Sequence, residues 1–466
     1  MANRRDVLKC CAAASLAGMA PLSNAVEGKT LSTIMFEPCV AGGLSLKGRV
    51  IRSSVLEYVY EDYGYADRLL TLYKPMCGLD GEGVSAIISG MVGVNPGARA
   101  VPRMIKAYDN IFEREISKVA RELHVKGTRY VVQLAHCGQS GMSEDGVCVA
   151  GPSEARKPNG EKVEAMSAKQ IAGTIRAFGE AAKRAQNAGA DAVEIHCAHG
   201  FLLSEFMSPA FNRRTDEYGG SFENRSRLPL AVFDEVRAQV GQDFPIWVKI
   251  NSTDRLENGV SPKDFLDLCE AFDRRGAAAL HISGGLLGGP AVSFSPSIEE
   301  NPQKGFFEEA AHTVAKRMTH ASIISVGGYR TPAMIERTLA EGDISLVSLG
   351  RPLTSEPELV TRWAMETKAR RVAYLAIVAL AAKISLPASL LQRRFARTKL
   401  SSARDQPDPW LSMAKISETI DEANLPNGPF VKAVRAAFVV MTADEASRRR
   451  GRETLKTREG EESFRL

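Results

Sequence analysis

Between Lys29 and Lys368, short apolar runs rich in β-branched residues alternate with longer stretches whose apolar positions recur every three to four residues. The short runs predict eight strands. The first four are Arg49 to Leu56, Val84 to Gly90, Thr128 to Ala135 and Asp191 to Ala198; the second four are Phe244 to Asn251, Ala279 to Gly285, Ser322 to Gly328 and Ile344 to Gly350. Most are almost continuously apolar instead of strictly alternating, which is the pattern of strands covered on both faces. The stretches between them carry helix-start signals. Ser167 and Gln170 have capping-box spacing ahead of a periodic stretch that ends near Gly189. Ser261-Pro262 and Thr331-Pro332 each put a capping residue before a proline suited to the first helical position. Gly189-Ala190-Asp191, Gly276-Ala277-Ala278 and Gly342-Asp343 end helices and feed the next strand. Eight strand–helix units in roughly 320 residues predict an α/β fold of the (β/α)8 TIM-barrel type with insertions. A doubly wound sheet is the competing α/β arrangement, but the chain holds no G-x-G-x-x-G run to support one.

Composition narrows the class without changing the fold. The chain has 466 residues, 44% apolar, 7% aromatic and 25% charged, which excludes wholesale disorder, collagen-like repetition and a multispan membrane protein. A net charge of +5 over this length gives no reason to expect nucleic acid as a partner. The eight cysteines (Cys10, Cys11, Cys39, Cys77, Cys137, Cys148, Cys197 and Cys269) include no C-x-x-C pair and read mostly as buried thiols. The start of the chain, Asn3-Arg4-Arg5-Asp6-Val7-Leu8-Lys9 followed by a short apolar run to Leu22, reads as a twin-arginine-type export signal over residues 1–25. That signal places the protein in the periplasm or otherwise outside the cytoplasm, with a cytoplasmic protein bearing a disordered basic start as the alternative. Residues 29–368 form the expected barrel domain, and residues 369–466 a mostly helical extension of unassigned role. Its apolar stretch Val372 to Leu391 is broken by Lys383 and Pro387 and reads as a docked helix or helical hairpin, not a membrane span.

Chemistry in a barrel sits at the C-terminal ends of the strands. The third predicted strand runs out at His136 and the fourth through His196, Cys197, Ala198 and His199; the fifth reaches Lys249, the seventh ends at Gly327-Gly328 and the eighth at Gly350-Arg351. Glycine turns after strands seven and eight let backbone N–H groups approach an anion, Arg351 adds a forked donor, and the helix opening at Thr331-Pro332 points its N-terminus the same way. The pattern is a phosphate cradle; packing glycines are the plainer alternative. His196 and His199, three apart at the barrel mouth, suit a shared ligand, either an oxygen anion or a metal for which His136 is the obvious third partner. No metal is expected.

At these positions the chain resembles the old yellow enzyme family of NADH:flavin oxidoreductases. The resemblance is carried by Ala188-Gly189-Ala190-Asp191-Ala192-Val193-Glu194-Ile195-His196 through Leu203, by Phe206-Met207-Ser208-Pro209, and by Asn212-Arg213-Arg214-Thr215-Asp216-Glu217-Tyr218-Gly219-Gly220. Gln133 to Gln139, Val326 to Gly328 and Gly350 to Leu353 agree in order and spacing, so that it covers roughly residues 31–368. The resemblance implies bound FMN, with NAD(P)H as a candidate electron donor. By the same resemblance Gln133 bonds the flavin pyrimidine edge and Lys249 supplies the cation beside N1, where arginine is commoner. Gly327, Gly328, Gly350 and Arg351 form the phosphate site, and Ser53 and Ser54 meet the flavin through backbone contacts. His196 and His199 bind the carbonyl oxygen of an unsaturated substrate.

Two positions depart from the family pattern. Phe201 stands where a tyrosine usually protonates the substrate carbon, leaving Tyr58, or a neighbour among Tyr60, Tyr63 and Tyr65, or water, as the candidate acid. Leu56 replaces the polar residue that tunes the flavin. Larger relatives carry an iron–sulfur cluster and a dinucleotide-binding domain after the barrel. With no cysteine after Cys269 and no glycine fingerprint, neither is expected here, and electrons are expected to reach FMN directly. The leading expectation is an FMN oxidoreductase passing hydride to an electrophilic alkene, enone or quinone-like acceptor. Alternatives are an amine-type flavin dehydrogenase, a flavin-free lyase using Lys249 as a Schiff-base nucleophile, and a non-catalytic flavin-binding protein. The expected partners are a small-molecule substrate and, for an exported protein, a redox donor; homo-oligomer formation is left open, and no membrane span is expected.

Overall fold

The computed structural model describes residues 34–367 except 79–80, 145 and 287–303. The expected signal and the C-terminal extension lie outside the described residues. All eight predicted strands form: β1 Val50–Arg52, β2 Ala86–Gly93, β3 Arg129–Ala135, β4 Ala192–Cys197, β5 Ile246–Asn251, β6 Ala279–Ser283, β7 Ser322–Val326 and β8 Leu346–Leu349. Each pairs in parallel with the next, and β8 returns to β1 (Ser348 opposite Ile51), closing an eight-stranded parallel barrel. Outside it lie α1 Ala66–Cys77, α2 Phe112–Val125, α3 Ala168–Asn187, α4 Phe222–Val240, α5 Pro262–Arg274, α6 Glu308–Ala315 and α7 Pro332–Ala340. The expected caps are present. Ser167 and Gln170 form a reciprocal capping box, and the hydroxyls of Ser261 and Thr331 accept N–H bonds from Asp264 and Met334. No helix among the described residues is long and apolar enough to cross a membrane.

Strand alternation sorts the barrel lumen into layers. Ile51, Ile88, Val131, Ala192, Trp247, Ala279, Ile324 and Leu346, one from each strand, form an apolar layer with Ala41, Leu44 and Leu46. The last three come from a hairpin, Cys39–Ala41 paired with Leu44–Leu46, that plugs the N-terminal end. Trp247 is fully buried there and donates its indole N–H to Gly42 O at 2.7 Å. Gly42 has a φ of 58°, and a Cβ on it would sit 2.7 Å from the indole nitrogen, so the plug needs glycine at that point. Two residues further along the strands the lumen turns polar: Ser53, Gln133, Glu194, Lys249, His281 and Ser348, all buried. Two further still, His196, Asn251 and Ser283 face the mouth. An apolar floor thus carries a polar layer, and the polar layer carries the chemistry.

Candidate active site

The polar layer is one hydrogen-bonded assembly. Gln133 Nε2 donates to Glu194 Oε1 at 2.6 Å, and Ser54 Oγ donates to Gln133 Oε1 at 2.7 Å. Lys249 Nζ donates to Ser53 Oγ at 3.2 Å. His281 joins Glu194 to β8, with Nδ1 2.7 Å from Glu194 Oε2 and Nε2 2.8 Å from Ser348 Oγ. Burial by itself pushes the Glu194 carboxyl up; the hydrogen bond from His281, the Lys249 charge and the hydrogen bond from Gln133 outweigh it and hold it below the usual carboxylate range. Burial and the Lys249 charge hold His281 below the usual histidine range, so the pair is a carboxylate accepting from a neutral imidazole.

Above this layer β4 ends in a tight loop. His199 has a φ of 62°, a left-handed conformation that non-glycine residues rarely adopt, and Gly200 follows at 72°. Asn251 fixes the bend. Its Oδ1 accepts the His199 N–H at 3.0 Å while its Nδ2 donates to Asp254 and to Gly285 O. The rings of His196 and His199 meet edge to face, 5.1 Å between centroids. Burial, reinforced by the Lys249 charge, lowers His196 to about 3, and burial with His196 and Lys249 lowers His199 well below the usual range; both are neutral at pH 7. Their tautomers follow from the donors around them. The Ala198 N–H points at His196 Nδ1, at 3.3 Å, so the His196 proton resides on Nε2. That N–H faces His199 Nδ1 at 3.3 Å, which leaves the His199 proton on Nε2, 2.8 Å from Ser283 Oγ.

The two departures from the family pattern meet in space. Phe201, 2% exposed, lies edge-on to His196 and packs with Met91, Met104, Ala135 and Cys137, and Leu56 closes the same apolar cluster. Tyr58 is 60% exposed on the loop after β1. Tyr60 is buried with its hydroxyl committed to Asp62 at 2.9 Å and to Asp109 in a very short bond; burial and these carboxylates push its pKa far up. His136 is buried and lowered to about 4, its Nδ1 accepting from Gly138 N–H at 3.1 Å.

Gly327 and Gly328 turn with φ of 88° and 80°, and a Cβ on Gly328 would sit 2.9 Å from the Phe306 ring. α7 begins four residues later, and Gly350 leads directly into the short helix Arg351–Ser355, with Arg351 exposed at its first position. The donor set fits FMN: a buried ammonium that makes no ion pair among the described residues, an amide held edge-on by Ser54 and Glu194, and two glycine turns beside helix starts. Sequence reasoning passed over Glu194, His281, Asn251 and Ser283. Glu194 was within reach, because it stands two residues before His196 and so on the same strand face.

Two other features belong elsewhere. Glu308, His312 and Glu341 cluster between α6 and the α7–β8 turn, but Arg337 Nη2 (3.0 Å) and the Gly305 N–H (2.6 Å) already hold Glu308, and Asp343 takes His312 Nδ1 at 2.8 Å. A cavity of about 600 Å³ lies at the hairpin end, lined in part by Cys39, Lys47, His124 and Arg129, far along the strands from the histidines.

Residues 34–369 match the NADH:flavin oxidoreductase / NADH oxidase family. The chain is 29% identical over 322 residues to the NADH oxidase of Thermoanaerobacter brockii, an alignment covering 68% of this chain and 48% of that protein. It is 29% identical over 326 residues to the NADPH dehydrogenase of Bacillus subtilis strain 168, covering 69% and 92%. The Old Yellow Enzyme structure from Pichia sp. AKU4542 superposes with a TM-score of 0.61 at 25% identity, covering 72% of this chain and 87% of the other. The chain thus spans about half the length of the first of these relatives and nearly all of the second. By this match over most of the chain, on the barrel described above, the chain belongs to the NADH:flavin oxidoreductase family of old yellow enzymes, whose members use FMN with NAD(P)H as electron donor.

Proposed function

We propose that this protein is an FMN-dependent oxidoreductase that reduces a small electrophilic acceptor whose carbonyl oxygen docks on His196 and His199. The observation that carries this reading is the neutral histidine pair in the barrel mouth above Lys249 and Gln133, His196 buried and His199 partly so. Bound FMN supplies the hydride. His196 offers its Nε2–H, which in the structure bonds His199; an acceptor oxygen takes over that proton and is polarised by it. Asn251 holds the His199 backbone at the mouth, and the His199 Nε2–H turns from Ser283 Oγ to the same acceptor oxygen, so that both histidines donate to it.

The apolar wall of Leu56 and Phe201 selects among acceptors. Reducing an enone requires an acid at carbon, and Phe201 has no proton to give. A quinone takes its proton on oxygen, where solvent or a histidine suffices, so quinone-like acceptors are favoured over simple enones. Residues 1–25, with their paired arginines, support export in a folded, FMN-loaded form; fusion of this segment to a reporter tests that assignment.

The test of the site uses the full chain loaded with FMN and reduced by NADH or NADPH without oxygen. His196→Ala and His199→Ala should each slow reoxidation by the acceptor about 10²–10³-fold while flavin content stays unchanged. Unaltered reoxidation in both variants would show that the acceptor binds elsewhere.

A further inference from the structure

We infer that Glu194 is the buried counter-ion that keeps position 249 cationic, a positioning residue whose carboxylate is held by His281 and Gln133 and which acts through Lys249 and not on the substrate. Its consequence for the flavin rests on the FMN reading above; its consequence for Lys249 does not.

The lumen composition leads to this assignment. Lys249 is 3% exposed, and its neighbours come from four strands. From β1 comes Ser53 on the lumen face, with Arg52 behind it on the outer face of the strand, tied to Glu57 at 2.8 Å and lying over the Tyr73 ring of α1. From β3 comes the uncharged Gln133. From β4 come Glu194 and His196, with His199 beyond the strand end, and from β6 comes His281. The three histidines gain nothing by carrying charge beside an ammonium, and each is held neutral. Burial pulls the lysine toward its uncharged form, Glu194 opposes it, and Arg52 adds to the pull. Glu194 and Lys249 stand on the paired strands β4 and β5, Glu194 opposite Trp247 and Lys249 two residues on, both buried in the same lumen layer, so that Glu194 supplies the field that preserves the cation across that layer without a direct ion pair.

Two features show that Glu194 is built for this and is not an incidental core carboxylate. It is completely buried, and both of its oxygens are engaged, one by Gln133 and one by His281. A buried carboxylate held by two uncharged donors keeps its full negative charge for a third party. Gln133 has the second role of presenting its amide at the flavin edge, so the same carboxylate orients the amide and charges the lysine.

The test compares wild type, Glu194→Gln and Glu194→Asp as full-length protein. Lys249 is followed through pH 6–10 by NMR of ε-carbon-labelled lysine, with its signal assigned from Lys249→Arg. In wild type Lys249 should remain charged through neutral pH. In Glu194→Gln its titration should move down by about one to two pH units, a tenfold to hundredfold change in protonation, and in Glu194→Asp by less. An unchanged Lys249 titration in Glu194→Gln overturns the assignment; should that variant fail to fold, an unchanged titration in Glu194→Asp does the same. A second arm measures the flavin midpoint potential against pH. Above the lowered Lys249 pKa, reduction in Glu194→Gln should take up one extra proton per two electrons. The potential then falls more steeply by about 30 mV per pH unit, the tenfold step of a two-electron couple. A Lys249 shift with no change in this slope would overturn the flavin consequence. Failure of wild type to bind FMN would instead refute the proposed function, with the lysine titration still deciding the role of Glu194.

Discussion

Glu205 lies on the short helix Leu202–Met207 just after the histidine loop and is 1% exposed. Its Oε1 accepts the Gln139 N–H at 2.9 Å, fastening the loop after β3 to the loop after β4, while its Oε2 is buried without a hydrogen-bond partner. Gly138 and Gly151 pack against the carboxyl, leaving no room to relax. Burial raises its pKa well above the carboxylate range, and the Gln139 N–H and the Lys157 charge do not offset it. The sign of the linkage follows. As pH rises past the unfolded value, the unfolded chain ionises first and the native state is left holding the proton, so stability falls with pH until the folded pKa is reached. For as long as the folded group keeps its proton each pH unit costs about 1.4 kcal/mol, so between pH 5 and 7 this one group removes up to about 2.6 kcal/mol. Glu205→Gln keeps an acceptor for Gln139 and abolishes the titration. Urea unfolding at pH 5, 6 and 7 should show the variant gaining steadily on wild type as pH rises, by up to about 2.6 kcal/mol across the range, at equal m-values. Parallel stability profiles would refute the reasoning, since they would mean that Glu205 ionises in the folded protein as it does in the unfolded one.

Trp247→Ala should cost about 3–5 kcal/mol in chemical denaturation, because it empties the floor and strips Gly42 O of its donor; a loss below about 1 kcal/mol would mean the hairpin is not a plug. Because the histidine pair is neutral in the native state, acceptor reduction should show no histidine ionisation between pH 5 and 8, whereas the fold should lose stability as pH drops below about 6.5 and the unfolded histidines charge. An acid limb near pH 6.5 in the flavin-reoxidation rate would contradict the neutral pair. Phe201→Tyr should raise turnover of a cyclic enone by about 10²-fold or more by restoring an acid, set against about 1–3 kcal/mol for burying a hydroxyl in the apolar cluster. No gain, in a variant that folds and binds flavin, would show that the missing acid does not limit enone reduction.

The barrel was legible because its strands are covered on both faces and so leave uninterrupted apolar runs. Their ends were less so. β1 was expected to reach Leu56 but stops at Arg52, because after Ser53 bonds Leu349 O the chain turns inward to place Ser54 on Gln133 and Glu57 on the Gly90 N–H. Such turns depend on partners 30 or more residues away, which local patterns do not register. The plugging hairpin, Cys39–Ala41 with Leu44–Leu46, escapes for another reason: three-residue strands carry little periodicity. Within the site, the family motif led to His196, His199, Gln133 and Lys249, and the structure brings them into one mouth. Tyr58 was a candidate acid and is largely exposed. Leu56 and Phe201 were two separate departures in sequence, 145 positions apart; folding joins them into a single apolar wall. Glu194 and His281 looked like interruptions of apolar strands, and only barrel closure shows them facing each other.

The central claim is that the histidine mouth passes electrons to an acceptor that needs no acid at carbon. The direct measurement is anaerobic stopped-flow mixing of the FMN-loaded, photoreduced full chain with p-benzoquinone and with 2-cyclohexenone, following the return of oxidised flavin absorbance. Fast, saturable reoxidation by the quinone that is slowed in His196→Ala, with the enone at least about 10²-fold slower, is the predicted result. Equal, saturable reoxidation by the enone with saturated ketone as product would contradict it, and reoxidation by neither would remove the acceptor site from the histidine pair.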